Sequence, residues 1–269
     1  MATKTVEAFP SSWLDRLQGW PMRLTVDVAG FAVTAEVSRE QLTRVYLPVL
    51  NLLQNALGDR RRIVAALAGE PGSGKSTFVA ILSRLADVLL GMSRLVAVGM
   101  DGWHWPNAIL DARTTTDEAG RAIPLRQRKG SPESFDVASM VAAIRQLQSA
   151  DSVVALPVYD RRLHEPVPSG LIVGPGTTIV LIEGNYLLDR SSPWSEVSTL
   201  LHPKLYLDAE PKIARDRVLA RHIRGGISPE EAQHKYAIND RLNAQMVHAT
   251  KAHAQYIIQL EPQPMVVEQ

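Results

Sequence analysis

Two hydrophobic periods alternate along this chain. Unbroken apolar runs at residues 63–68, 95–100, 179–182 and 205–207 have the length of strands and are apolar on both faces, as strands inside a parallel sheet are. Between them apolar positions recur at helical spacing, first as Phe78, Ile81, Leu82, Leu85, Val88 and Leu89 ahead of Gly91, then over 137–147 and 213–222. Strand and helix patterns in alternation predict an α/β fold of three layers, α/β/α, around a parallel sheet. Ligand chemistry in such a sheet belongs at the carboxyl ends of the strands.

The flanks read differently. Residues 24–28 and 31–37 alternate around Ala29-Gly30 and predict a β-hairpin. Ser38 and Gln41 then form a capping-box start for a helix that runs through Leu57 and ends at Gly58. Near the other end, Ser228, Pro229 and Glu231 open a helix that extends to about Ala249, and 255–260 reads as a closing strand. The division that results is an appendage over 1–59, a principal domain over 60–261 and a loose tail over 262–269. Packing against the sheet edge or against a second copy in a homodimer is the expected role of the appendage. The polar stretch 111–129 reads as a mobile loop, and Arg60-Arg61-Arg62 as the solvated start of the first sheet strand.

Between that first strand and its helix stands Gly69-Glu70-Pro71-Gly72-Ser73-Gly74-Lys75-Ser76-Thr77. It meets the phosphate-binding pattern G-x-x-x-x-G-K-[ST] at every specified position, in the strand–loop–helix context the pattern requires. Gly69, Gly72 and Gly74 free the backbone for conformations that turn successive N–H groups toward phosphate oxygens. Lys75 supplies a cation for the β- and γ-phosphates, Ser76 a hydroxyl ligand for Mg²⁺, and the helix the positive end of its dipole. The motif narrows the α/β/α prediction to the P-loop NTPase fold.

The 269 residues carry 29 Lys and Arg against 28 Asp and Glu. So balanced a charge points neither to a nucleic-acid footprint nor to a membrane surface. Cysteine is absent, which removes thiolate metal sites and cysteine nucleophiles and is compatible with a cytoplasmic location. None of the seven histidines stands in an H-E-x-x-H arrangement, so no zinc site is expected.

Chemistry concentrates where strands end. Asp101 follows the second apolar run, within reach of a γ-phosphate, and could orient or deprotonate an attacking hydroxyl. An Asp there can equally cap the next turn. Glu183 ends the third run, where an acidic group reaches Mg²⁺ directly or through water. Arg217, Arg221 and Arg224 recur at i, i+4, i+7 on one helix face ahead of Gly225-Gly226, a placement that lets arginines close over phosphates. The stretch 157–164 packs Tyr159, Asp160, Arg161, Arg162 and His164 after a short apolar run and reads either as an acceptor wall or as a merely charged loop.

Taken together these segments resemble the phosphoribulokinase/uridine kinase group of P-loop kinases, and within it a pantothenate kinase-like bacterial branch. The resemblance rests on GEPGSGKST, MDGWHWPNAILDAR from Met100, KGSPESFD from Lys129, LPVYDRRLHEPVP from Leu156, VLIEGNYLL from Val180 and RDRVLARHIRGG from Arg215. It implies ATP as donor with Mg²⁺, Asp101 as catalytic carboxylate and Glu183 as the magnesium-associated acid. It implies Lys75, Arg217 and Arg221 as phosphate cations, and Tyr159, Arg161 and His164, with His104 and Asn185, as lining of the acceptor pocket. After Pro157-Val158-Tyr159 the chain departs from pantothenate kinases, since Asp160-Arg161-Arg162 brings in two cations.

The expected activity is therefore transfer of the γ-phosphoryl group of ATP to a hydroxyl of a small pantothenate-, nucleoside- or sugar-like metabolite. The rival is a P-loop GTPase or ATPase switch, or a metal-insertion chaperone, without such an acceptor. Guanine selection calls for N-K-x-D after a strand, and the chain has none.

Overall fold

The computed structural model describes residues 9–28, 31–117, 119–149 and 153–260. Five strands form one parallel sheet, β3 (Ile63–Ala68), β4 (Leu95–Gly99), β9 (Ile179–Gly184), β10 (Lys204–Asp208) and β11 (Tyr256–Gln259), in the order β11-β10-β3-β9-β4. The strand that feeds the phosphate loop lies at the centre. Side chains alternate across the sheet, so Ile63, Ala65 and Leu67 enter one core and Val64, Ala66 and Ala68 the other.

The first core lies between the sheet, the loop helix α4 (Lys75–Leu89) and the N-terminal segment. That segment holds α1 (Ser12–Arg16), the antiparallel hairpin of β1 (Arg23–Val28) and β2 (Phe31–Glu36), and α2 (Arg39–Gln41). A π-helical turn over Leu42–Tyr46 then leads to α3 (Leu47–Leu57). Both arms of the capping box between Ser38 and Gln41 are made, and Gly58 ends the helix at φ +50°. The tip of the hairpin and the tail 261–269 lie outside the described residues. Trp13, Tyr46 and Leu50 join Phe78, Leu82 and Leu85 in one apolar cluster, with the Tyr46 and Phe78 rings stacked 4.8 Å apart. Arg16 donates to the carbonyl of Leu89 at 2.7 Å, at the end of α4 where carbonyls lack helical partners.

We propose that the described part of residues 1–59 is an integral layer of the domain rather than a detachable arm. Leu50 is fully buried, so Leu50→Ala should lower unfolding stability by about 2–5 kcal/mol. Chemical denaturation measures this, and a change below about 1 kcal/mol would mean that the segment packs too loosely to support the sheet.

The second core is closed by α6 (Val137–Gln148) and α7 (Trp194–Leu200), whose Met140, Ile144, Trp194 and Val197 cover Val98, Val180 and Ile182. Three features differ from expectation. Arg62 is buried, not solvated: its guanidinium donates to the carbonyls of Thr177 (2.9 Å), Leu147 (3.2 Å) and Gly174 (2.7 Å), satisfying a loop beside the start of β3. The polar stretch 111–129 holds α5 (Asn107–Ala112) at its start and then a ribbon of β5 (Thr114–Thr116) and β6 (Ala122–Pro124). Asp117 accepts from the amides of Ala119 and Arg121 at the turn of that ribbon. The run ending at Tyr159 is β7 (Val154–Asp160), paired antiparallel with β8 (Glu165–Val173), a strand that Pro166 and Pro168 hide from pattern reading.

The chain then continues through α8 (Pro211–Arg224), α9 (Pro229–Lys235), a π-helical turn over Tyr236–Asp240, and α10 (Arg241–Ala249). The capping box between Ser228 and Glu231 is complete. Among the described residues no helix is long and apolar enough to cross a membrane.

Candidate active site

Each glycine of the phosphate loop has a different physical reason. Gly72 (φ +82°) and Gly74 (φ +99°) occupy left-handed backbone, and Gly74 is the N-cap of α4. A Cβ on Gly72 would stand 2.1 Å from the carbonyl oxygen of Ala214 on α8, and one on Gly69 would stand 2.6 Å from that of Leu207 on β10. Gly69 is therefore required by close packing rather than by its dihedral. Ser73 Oγ is buried and without a partner among the described residues, an orphan donor turned into the loop. Thr77 follows, half-buried, on the first turn of α4.

Lys75 folds back over this loop. Its Nζ donates to the carbonyls of Gly69 (2.7 Å) and Glu70 (2.9 Å) and to Asn185 Oδ1 (3.1 Å). Burial lowers its pKa to about 8, against the opposing charges of Glu183 and Asp101. The ammonium is thus held ready by neutral oxygens that a phosphate can replace.

Sheet register brings the carboxylates to the same end. Glu183 lies level with Leu67 on one side and Gly99 on the other, so the ends of β3, β4 and β9 meet. Ser76 Oγ donates to Glu183 Oε1 at 2.7 Å, and burial raises the Glu183 pKa against the pull of Lys75 and of that hydrogen bond. A hydroxyl beside a carboxylate is a hard-oxygen pair suited to Mg²⁺, which needs few protein ligands when phosphates and water supply the rest. Among the described residues no group of three or more His, Cys, Asp or Glu could hold a metal by itself.

Asp101 lies in a 3₁₀ turn, Met100–Trp103, directly after β4. A Cβ on the next residue, Gly102, would stand 2.3 Å from the carbonyl oxygen of Pro157, so the turn lies flush on β7. The contact brings the Asp101 carboxylate onto the guanidinium of Arg161, with which it forms an ion pair. Burial pushes the Asp101 pKa up, but Arg161, His104, Arg221 and Lys75 together outweigh burial and leave it below the usual aspartate value.

The side chains grouped as an acceptor wall separate by role. His104 is buried, with its ring 3.9 Å from that of Phe135 and 5.3 Å from that of Tyr159, and its Nδ1 donates to the Asp101 carbonyl at 2.9 Å. Burial lowers its pKa; the neutral ring supports the Asp101 turn. Tyr159 carries the guanidinium of Arg161 5.0 Å from its ring centroid and the ammonium of Lys129 4.9 Å away. His164 occupies the β7–β8 turn at φ +54° with its ring exposed, and offers its carbonyl to Lys129 Nζ (2.8 Å) and Asn107 Nδ2 (3.0 Å).

On α8 the arginines divide. Arg217 Nη1 approaches the carbonyls of Gly72 (3.5 Å) and Ser73 (3.4 Å). Arg221 is exposed on the same helix, and its charge acts on both Lys75 and Asp101. Arg215 turns away, over the ring of Tyr236. His222 Nε2 lies 2.8 Å from Asp240 Oδ2, Asn239 Nδ2 donates to the Lys129 carbonyl at 3.0 Å, and Arg128 to that of Ile238 at 2.7 Å. The arginine helix is thereby joined to the loop that carries Lys129. Lys129, Asn107 and Asn239 escape sequence reasoning because each lies far along the chain from its partners; only the Lys-Gly pair at 129–130, with Gly130 at φ +97°, offered a local signal.

Comparison with known proteins accords with this geometry. Residues 64–266 match the model of the Phosphoribulokinase / Uridine kinase family. The chain is 32% identical to "Putative uridine kinase C227.14" of Schizosaccharomyces pombe, over 80% of its own length and 90% of that protein. It is 24% identical to a pantothenate kinase of Yersinia enterocolitica, over 88% and 81%. A solved "putative fructose transport system kinase" from Silicibacter sp. TM1040 superposes with a TM-score of 0.68 at 27% identity, covering 78% of this chain and 98% of that one. The chain belongs to the phosphoribulokinase/uridine kinase family of P-loop kinases.

Proposed function

We propose that this kinase transfers the γ-phosphoryl group of Mg²⁺-bound ATP to a hydroxyl of a small metabolite, with Asp101 aligning that hydroxyl. The observation that carries this reading is the register of β3, β9 and β4, which sets Lys75, the Ser76–Glu183 pair and Asp101 around one point. Lys75 and Arg217 take the phosphates, and Ser76 and Glu183 are the residues that would hold a magnesium ion, whose charge would offset that of the phosphates. The loop amides from Gly69 to Thr77 cradle the phosphate chain. Arg221 neutralises charge on the transferring group, and closure of α8 over the cleft excludes water, the competing acceptor. Tyr159, Arg161 and the His164 carbonyl face the acceptor, His104 supports the Asp101 turn, and Asn185 positions Lys75. The nucleoside lies in the cleft beside the loop lined by residues 208–211, His248, Lys251 and, from the N-terminal segment, Gln41 and Arg44.

ADP release screened over pantothenate, nucleosides, pentoses, ketohexoses and sugar phosphates tests the reading, with Asp101→Asn as blank. Release that needs no acceptor and is equal in both proteins would favour a hydrolytic switch.

Binding of the nucleotide should also take up a proton in mild alkali. Lys75, which titrates near 8 in the free protein, is raised by bound phosphates, so above pH 8 the complex holds more protons and affinity falls. Calorimetric titration at pH 8.5 in buffers of different ionisation enthalpy reads the uptake; none at that pH would contradict a buried, depressed Lys75.

A further inference from the structure

We propose that the acceptor is an anionic alcohol, a small hydroxylated molecule bearing a carboxylate or a phosphate, and that Arg161 and Lys129 receive its negative group. This rests on the kinase reading above and names the substrate class of that site.

The argument starts from Lys129. Its ammonium is held by two neutral oxygens, Asn107 Oδ1 at 2.6 Å and the His164 carbonyl at 2.8 Å, and stands 4.9 Å from the Tyr159 ring. No carboxylate among the described residues forms an ion pair with it. The nearby Glu165 is occupied, its two oxygens accepting from the Asn107 amide at 3.1 and 3.0 Å. Burial pulls the Lys129 pKa down to about 8, against the opposing charges of Glu165 and Asp101. A half-buried cation with no carboxylate in contact, whose carboxylate neighbours Glu165 and Asp101 act on it only at a distance, is a costly arrangement for a protein to keep, and an anion that arrives from outside relieves it.

Arg161 completes the receptor. It shares the Tyr159 ring with Lys129, and among the described residues its only hydrogen bond is to Asp101 Oδ2. A guanidinium has five donors in a planar fork suited to carboxylate or phosphate, so most of that fork is open. Arg221 adds a third positive charge acting on the same Asp101. A neutral sugar or nucleoside would leave Lys129 without an anion in direct contact and Arg161 clamped on Asp101. An anion competes for Arg161 and frees the carboxylate for the hydroxyl. In the transfer, the acceptor oxygen forms a bond to Pγ, the bond from Pγ to the β,γ-bridging oxygen breaks, ADP leaves, and the hydroxyl proton passes to Asp101 and then to solvent.

The test uses full-length protein saturated with Mg²⁺ and the β,γ-imido analogue of ATP, which fills the phosphate loop. Ligand-observed NMR then compares sets matched except for charge: glycerol, glycerate and glycerol 3-phosphate; ribose, ribonate and ribose 5-phosphate; pantothenol and pantothenate. Charged members should bind about 10–100-fold more tightly than the neutral member of their set. The carboxylate and phosphate arms tell which anion is meant. Arg161→Gln should erase the preference while leaving affinity for the ATP analogue unchanged; Lys129→Gln should do the same, and if it does not fold, Arg161→Gln carries the test. Neutral members binding equally well, no charged member binding, or a preference that survives Arg161→Gln would each overturn the inference. Acceptor-dependent ADP release from neutral members alone sinks it and leaves the kinase reading standing. Acceptor-independent release, equal in wild type and Asp101→Asn, sinks both.

Discussion

Asp101→Asn should lower kcat by about 10²–10⁴-fold, the range for loss of a positioned acid–base group, and leave Mg²⁺·ATP binding intact. Asparagine keeps the shape and removes the charge. In the wild type, burial alone would favour the neutral acid, but Arg161 and the other cations hold the pKa below the usual aspartate value, so the carboxylate is ionised at neutral pH. Its contribution to stability is present above the ordinary aspartate pKa and is lost as pH falls through the lower folded value. With the two side chains 28% and 36% exposed, solvent screens the pair, and the variant should melt close to wild type. The acid limb of kcat/KM assigned to this group should likewise lie below the ordinary aspartate range. Steady-state kinetics with a thermal melt decide the matter: unchanged kcat in a folded variant would remove Asp101 from the mechanism.

Lys75→Ala should act on the donor side instead. Losing two charge-assisted hydrogen bonds to phosphate, each about 1.5–3 kcal/mol, predicts a fall in kcat/KM of roughly 10²–10⁴-fold. Folding should not suffer in proportion. A buried ammonium, whose pKa is depressed chiefly by desolvation, contributes little net stability, and alanine is a good residue for the first turn of α4. The signature is thus a large kinetic loss with a nearly normal melting temperature, together with loss of the proton uptake at pH 8.5. Full activity in this variant would mean that the phosphates bind elsewhere.

The N-terminal hairpin, the capping boxes at Ser38 and Ser228, the strands of the parallel sheet and the phosphate loop were all legible in the sequence. Their causes are local. A capping box spans three residues, a buried strand announces itself by three to six consecutive apolar positions, and Lys75 finds its carbonyl partners five and six residues back. Asp101 and Glu183 were findable because a polar residue that ends an apolar strand must emerge at the sheet's carboxyl edge.

What tertiary structure alone decided is which of these ends meet. Nothing in the chain orders the strands β11-β10-β3-β9-β4, yet that order sets Glu183 between Leu67 and Gly99. His104 and His164 read alike as pocket histidines, but one is packed against Phe135 and the other lends only its carbonyl. Arg62 read as a solvated cation, and burial gave it another use. Secondary structure and a phosphate loop follow from interactions a few residues apart, which the sequence carries in its spacing. Charge pairing and burial arise between residues such as Arg161 and Asp101, 60 positions apart, and exist only once packing has excluded water and fixed their distance.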